Sequence, residues 1–450
     1  MYHIGIETEL TAEMIIGFIE DFKLNHLPRF RKLENYYLNK TAIKDRVFSD
    51  ISKPNNKISH SWANYITDTM TAFFLGEPVS YQGEDVEVLD RLKYIFNEND
   101  EQDLNIQLSR DCSKYGVAYE LTYLDGGDKK EIKLVKLNVL NTIPIYDDSV
   151  NAKLLYVIRF NEIKDIVKNE VNTTIEVYTS EHISTYSLEN KTLVPIDTEV
   201  PHEFGIVPIS VYKNNDDLLG DYEGVMDLID LYDRLESDTA NAFDYYNDAY
   251  LVFEGATIPE NVAEMKENRI LETPEGSKVY FLLKNAVDTE QENVKNRVVN
   301  DIHKFSKVPN MSDEQFANNV SGVAMKYKLL GLENSCSIKE RKFKKGLQNR
   351  LWLISNMLNI LEGYNNQTSL QDVKINFKRN IPNNEVEVAD YINKLRGLVS
   401  TETLISQLSF VEDVTEEMEK LEAENDFNTY GDEVYLNDEN EGADFTREDN

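Results

Sequence analysis

"DYEGVMDLIDLYDRLESDTANAFDYYNDAY", Asp221 to Tyr250, contains no proline and a single internal glycine, Gly224. As one unbroken helix it would run about 45 Å. Tyr222, Val225, Ile229, Tyr232, Leu235, Thr239, Ala242, Tyr246 and Ala249 recur at helical intervals, so one apolar stripe is expected to pack. Glu223, Asp227, Asp230, Asp233, Glu236, Asp238, Asp244 and Asp248 spread over the remaining surface. Such a helix is half buried and strongly acidic. The plain reading of its carboxylates is an ordinary solvated helix face.

Downstream, "LVFEG", "RILE" and "KVYFLL" read as three short strands separated by turns at Thr257-Ile258-Pro259 and Pro274-Glu275-Gly276. A helix from about Thr289 to Lys307 then returns, making a helical hairpin with a small β-containing tip. After Pro309, "NMSDEQFANN" is polar and without period, a loop. A second very long helical pattern starts at Ser321, its candidate N-cap, and ends near Gly363. Between Met325 and Arg350 it carries Lys326, Lys328, Lys339, Arg341, Lys342, Lys344, Lys345 and Arg350 against Glu333 and Glu340. This basic segment either neutralises acids within the fold or meets nucleic acid or an acidic partner. "VKINFKRNIP" is one more strand, and two helices follow from about Asn384 to Glu424. From Glu424 to Asn450 there are ten acids and one base, Arg447, the composition of a disordered tail.

Upstream, Thr11 is a plausible N-cap for a helix through about Phe22, and Pro28 opens another through Leu38. In "NNKISHSWANYITDTMTAFFLGEPVSYQ", Asn55 to Gln82, residues Ile58, Trp62, Tyr65 or Ile66, Thr69 or Met70 and Phe73 keep helical spacing. A helix from Asn55 to Leu75 is predicted, with Gly76 as a left-handed C′ residue, Pro78 as a stop, and a strand beginning at Val79. A bilayer span needs roughly 20 apolar residues in a row, and this stretch has only a short run ending at Leu75. It packs rather than spans. An amphipathic helix follows near Val86 to Asn97, and from Val117 to about Tyr212 the texture is that of a mainly antiparallel sheet, opening with two strands around Asp125-Gly126-Gly127.

The chain has 450 residues, enough for two to four subdomains, and 41% of them are hydrophobic. Its 47 Lys and Arg against 81 Asp and Glu give a formal net charge of −34. That balance argues against a monomer that wraps DNA by neutralising phosphates. The first residues lack a basic region ahead of an apolar one, so no secretory leader is expected. Cys112 and Cys336 are far apart in sequence and read as buried small hydrophobes of a reducing compartment. His3, His26, His60, His182, His202 and His303 fall in no metal-ligand pattern. There is no phosphate-binding glycine loop, nucleophile elbow or kinase signature, and "NDENEGADFTRED" lacks calcium-loop spacing. No cofactor is expected. Among so many acids, a two-metal nuclease site built from distant carboxylates stays open as an alternative.

Several stretches in order resemble the tailed-phage portal proteins of the SPP1-like type. They are "NYYLNKTAI" at Asn35 to Ile43, the Asn55 to Gln82 stretch with its Leu-Gly-x-Pro-Val ending, the acidic "EGVMDLIDLYDRLESDTANAFDYYNDAYLVFEG", and "VSGVAMKYKLLGLE". The resemblance covers roughly Tyr36 to Pro382. It departs from the family at Asn39, where members often carry Gly; Asn tolerates a left-handed turn nearly as well.

The resemblance implies an α+β portal-type fold with long stem and wing-crossing helices, an antiparallel sheet-containing wing, a β-containing clip and a helical crown. Residues 1–220 would be wing, 221–249 stem, 250–288 clip, 289–309 stem again and 310–320 a tunnel loop. Residues 321–380 would be the long helix with a wing strand, 381–424 the crown, and 425–450 an acidic disordered tail. It further implies a non-enzymatic dodecameric ring at one capsid vertex of the virion, assembled in the host cytoplasm. That ring is the channel for double-stranded DNA packaging and ejection and the platform for terminase and a head-tail adaptor, with scaffold and major capsid contacts and no membrane. Met311, Asp313, Glu314, Gln315, Phe316, Asn318 and Asn319 would lie nearest DNA, and the acidic stem would line the channel. The basic face of Lys339, Arg341, Lys342, Lys344 and Lys345 would make ion pairs between subunits, or a ring toward DNA. A monomeric minor capsid or scaffold-binding protein would share the acidity without forming a ring.

Overall fold

A computed structural model describes the chain apart from residues 1, 52, 127–129, 167–169, 198, 248–249, 256–275, 283–287, 312–321, 363–369, 371, 381–384, 407, 409–410, 412–413, 415–416 and 425–450. It is a mixed α+β fold. Thr11 caps α1 (Ala12–Asp21), its hydroxyl accepting from the Met14 N–H. α1 does not end there but passes through a π-helical turn, Phe22–His26, into α2 (Leu27–Tyr37), where Pro28 sits in the first turn. Asn39 takes the left-handed conformation expected of it, with φ 58°.

α3 begins at Trp62 rather than Asn55 and ends at Leu75. Residues 55–61 stay out of the helix because side chains of another helix capture the amides of Asn56, Ile58 and His60, as described below. Gly76 is right-handed (φ −68°), not left-handed. Its glycine answers a different need: a Cβ there would lie 2.2 Å from the Ala72 carbonyl oxygen and 2.6 Å from Asn380 Nδ2. Beyond it, the short strand β2 (Ser80–Gln82) pairs antiparallel with the strand at Lys374–Asn376.

α4 (Val86–Asn97) matches its expectation, and α5 (Glu101–Tyr115), which was not anticipated, follows at once. α5 buries Leu104, Leu108, Cys112 and Tyr115 against α2, α3 and the sheet. Two sheets then form. β3 (Val117–Leu124), β4 (Ile132–Leu137) and β11 (Ile209–Lys213) make the antiparallel order β11-β3-β4. β5 (Thr142–Asp147), β6 (Leu154–Asp165), β7 (Glu170–Tyr178) and β8 (His182–Glu189) run antiparallel in the second, with β9 (Thr192–Pro195) and β10 (Val200–Pro201) on β8. The exception is β1 (Tyr2–Ile4), which adds parallel to β5.

The acidic stretch is a 3₁₀ turn, Glu223–Val225, then α6 (Met226–Asn247). β12 (Tyr250–Glu254) and β13 (Lys278–Leu282) pair antiparallel, and α7 (Asp288–Ser306) packs back on α6. The expected strand "RILE" lies outside the described residues. The long helical pattern is α8 (Gly322–Lys328) and α9 (Leu330–Glu362), joined at Leu329, whose N–H still reaches the Met325 carbonyl. α9 crosses β11 and α3, and β14 (Lys374–Asn376), α10 (Glu385–Leu395) and α11 (Thr401–Ile405) follow. One continuous apolar core runs through the helices and both sheets; Ile405, Val411 and Val414 form a separate small cluster. No described helix is long and apolar enough to cross a membrane.

Candidate functional site

α6 places its polar side chains in two groups. Asp233, Ser237 and Asn241, four residues apart and hence on one face, accept the backbone N–H groups of His60 (2.9 Å), Ile58 (2.9 Å) and Asn56 (2.7 Å). Four helical residues rise about 6 Å and two extended residues about 6.6 Å, so an extended chain running against the helix meets one acceptor at every second amide. This match holds residues 56–60 out of helix.

Neighbouring carboxylates reinforce that seam. Asp233, wholly buried, also accepts the Thr41 hydroxyl at 2.5 Å and lies 2.8 Å from His60 Nδ1. Tyr36 donates to both oxygens of Asp230 at 2.7 Å; burial, then that hydrogen bond, holds its phenol well above the usual range. Arg46 bonds Asp238 at 2.7 Å and the Asn56 carbonyl at 2.6 Å, and Asn56 Nδ2 donates to Asp244 at 2.6 Å. Arg29 chelates Glu223, and Lys295 of α7 lies 3.2 Å from Glu236. Asp227 is exposed, and Asp248 lies outside the described residues. The carboxylates that a helical wheel spreads over a solvated surface are thus largely spent on partners in the same chain. The donors at Arg29, Tyr36, Thr41, Arg46 and His60 had no spacing signal, because the pairing spans roughly 170 to 195 residues of sequence.

The loop after α7 is rooted by aromatic groups. Tyr65 on α3 donates to the Pro309 carbonyl at 3.1 Å and accepts from the Met311 N–H at 3.5 Å. His303 Nδ1 lies 2.9 Å from the Val308 carbonyl, with its ring edge-on to Trp62 at 5.2 Å. Met311 is exposed. Asp313, Glu314, Gln315, Phe316, Asn318 and Asn319 lie outside the described residues.

The basic face of α9 is not one surface. Lys339 is buried, donating to Asp221 at 2.7 Å and to Ser113 Oγ. Lys342 pairs with Asp216, and Lys344 donates to the Ile375 carbonyl at 3.2 Å. Arg341 and Lys345 are exposed. Arg350 lies at the centre of the core: Nε donates to Glu120 Oε1 at 2.9 Å, and one terminal nitrogen to Glu101 at 2.7 Å and Asn105 at 2.9 Å. Burial alone would lower its pKa, but Glu120, Tyr212 and Glu101 raise it further, so it stays charged. For Glu101 burial prevails, and its carboxyl sits above the usual range although Arg350, Tyr81 and Asn105 pull it down.

Both cysteines are buried, and burial pushes their thiols up, Cys336 to about 12, which removes thiolate chemistry at neutral pH. Among the described residues no three His, Cys, Asp or Glu are arranged to hold a metal ion. The geometry is that of a braced scaffold.

Residues 16–429 match the family model described as "Phage portal protein, SPP1 Gp6-like". The portal protein of Bacillus phage SPP1 is 24% identical over 395 residues, covering 83% of this chain and 77% of that protein. The portal protein of Clostridium phage phiCD119 is 23% identical over 416 residues, covering 86% and 90%.

Proposed function

Because the chain belongs to the SPP1 Gp6-like family of phage portal proteins, we propose that it forms a closed ring, dodecameric in the virion, at one capsid vertex. Double-stranded DNA enters and leaves through its channel, and the chain performs no catalysis. The observation that carries this reading is the family match over residues 16–429, from α1 to beyond the last described helix.

Residues 221–249 and 289–309 serve as stem, the β12–β13 pair as part of the clip, residues 310–320 as the tunnel loop and 381–424 as crown. The clip docks terminase during packaging and a head-tail adaptor afterwards, while the wing meets scaffold and major capsid proteins. Two physical arguments support a conduit. A net charge of −34 per subunit repels phosphates, where a basic wall would hold DNA by counterion release. The bracing of α6 by residues 29–60 and by α7 stiffens the element that a passing duplex would load. With Asp230, Asp233 and Glu236 engaged inside the subunit, the exposed carboxylates among the described residues of α6 are Asp227, Asp238, which pairs with Arg46, and Asp244, which accepts from Asn56.

Light scattering and negative-stain images of one purified fraction test the proposal. Closed rings of about twelve subunits with a central channel are the expected result, the closure that a head-to-tail interface requires. Monomer alone, persisting when scaffold protein is added, overturns it.

A further inference from the structure

α9 turns one stripe to solvent, through Asn334, Ile338, Arg341, Lys345 and Gln348, successive members three or four residues apart. Arg341 has no ion-pair partner among the described residues. Lys342 follows it in sequence, and Lys213 of β11 lies near Lys342 and Lys345. The Lys213 ammonium is held below its usual range by burial and then by Lys342 and Lys345, so these three cations crowd one another. Their acidic neighbour Asp216 has a side chain 80% exposed, and an ion pair so open to water is strongly screened. In a chain of net charge −34 this is a cationic surface left under-neutralised.

We propose that this face binds the chain's own acidic carboxy-terminal segment, residues 425–450. Charge is the first argument: that segment carries Asp and Glu throughout, from Asp426 to Asp449, against the single base Arg447. Side-chain chemistry is the second. The segment interleaves its acids with Phe427, Tyr430 and Tyr435, and the cationic stripe contains Ile338, an aliphatic side chain 49% exposed one turn from Arg341 and Lys342. Reach is the third. Arg379 bonds Glu333 at 3.0 Å and Glu340 at 2.7 Å, and Lys378 donates to the Val411 carbonyl at 2.7 Å. The small carboxy-terminal cluster therefore hangs beside the same part of α9, and an extended chain spanning about 3.3–3.6 Å per residue easily covers the rest. Residues 430–450 lie beyond the stretch matched by the family model, so the inference rests on this chain's residues and not on portal function.

The test is zero-length carbodiimide cross-linking of the full chain, read by mass spectrometry. Cross-links from Lys342 or Lys345 to acids of residues 425–450 are expected, lost at roughly 1 M salt, where the Debye length is about 3 Å. They should also be lost in an Arg341→Glu/Lys345→Glu variant whose circular dichroism is unchanged. In a second variant, with Asp432, Glu433, Asp438 and Glu439 replaced by Asn or Gln, Lys345 should be acetylated several-fold faster than in the parent chain. Tail cross-links scattered over other lysines, or unchanged acetylation, overturn the proposal. So does binding of a labelled DNA duplex to the parent chain that the Arg341→Glu/Lys345→Glu variant abolishes, which makes the face a nucleic-acid surface instead.

Discussion

Arg350 of α9 holds Glu120 of β3 across 230 positions of sequence, with both side chains fully out of water. Tyr212 and Asn105 close the network. Desolvating such a pair offsets much of its attraction, but breaking it strands a charge. Arg350→Met is therefore expected to lower stability by about 3–5 kcal/mol, measured as the urea midpoint of the purified chain. An unchanged midpoint would mean that Glu120 finds another partner or takes up a proton at little cost.

Glu101 shares that guanidinium, yet burial keeps its carboxyl above the ordinary value of 4.5. A carboxyl raised on folding binds its proton more tightly in the folded chain. Its contribution is complete below the unfolded value and is lost as pH rises through the folded one. Glu101→Gln should thus be at least as stable as the parent near neutrality, with its relative advantage shrinking as pH falls from the folded value towards 4.5 and levelling off below it. Parallel melting curves across pH would decide it; a variant weakened only at high pH contradicts the raised value.

Exposed and buried carboxylates of α6 should respond differently. A helix read as a solvated acidic surface tolerates any single Asp→Asn change, and at the exposed Asp227 that still holds. At Asp233, substitution by Ala frees the Thr41 hydroxyl, the His60 N–H and the His60 ring together. The stranded, buried Thr41 hydroxyl alone costs about 1–3 kcal/mol, so faster amide exchange at Ile58 and His60 and proteolytic nicking between Arg46 and His60 are expected. Equal exchange in the two variants would refute the seam.

Gly346 lies inside α9, where Gly→Ala ordinarily stabilises a helix by about 0.8–1 kcal/mol. Here the new Cβ would come within 2.4 Å of Tyr212 Cδ1, and Tyr212 is fully buried with no room to retreat. Overpacking of about 1–3 kcal/mol should win, giving a net loss of stability in thermal unfolding. A gain would show that the ring can move.

Periodicity located α4 to the residue and α6 to within a few, since each carries its own apolar stripe. It placed the start of α3 seven residues early, because Ile58 keeps helical spacing with Trp62 while the amides at 56, 58 and 60 bond to α6. α5 was overlooked although Leu104, Leu108, Cys112 and Tyr115 mark a face; its buried Glu101, Asn105 and Asp111 blur the contrast. Basic residues of α9 counted together in sequence divide by depth in the fold, from Arg350 in the core to Lys345 at the surface. Depth depends on which strand crosses which helix, and local composition does not encode that.

The seam between residues 56–60 and α6 is commensurate, one acceptor for every second amide, and this fixes how it can fail. Sliding along it finds no intermediate resting place: the next alignment is about 6 Å away, and any smaller displacement breaks all the rungs at once. Axial displacement of α6 is therefore resisted by the three rungs together, beside its contacts with α7. The two segments behave as a toothed joint, rigid up to a threshold and then released in a single step.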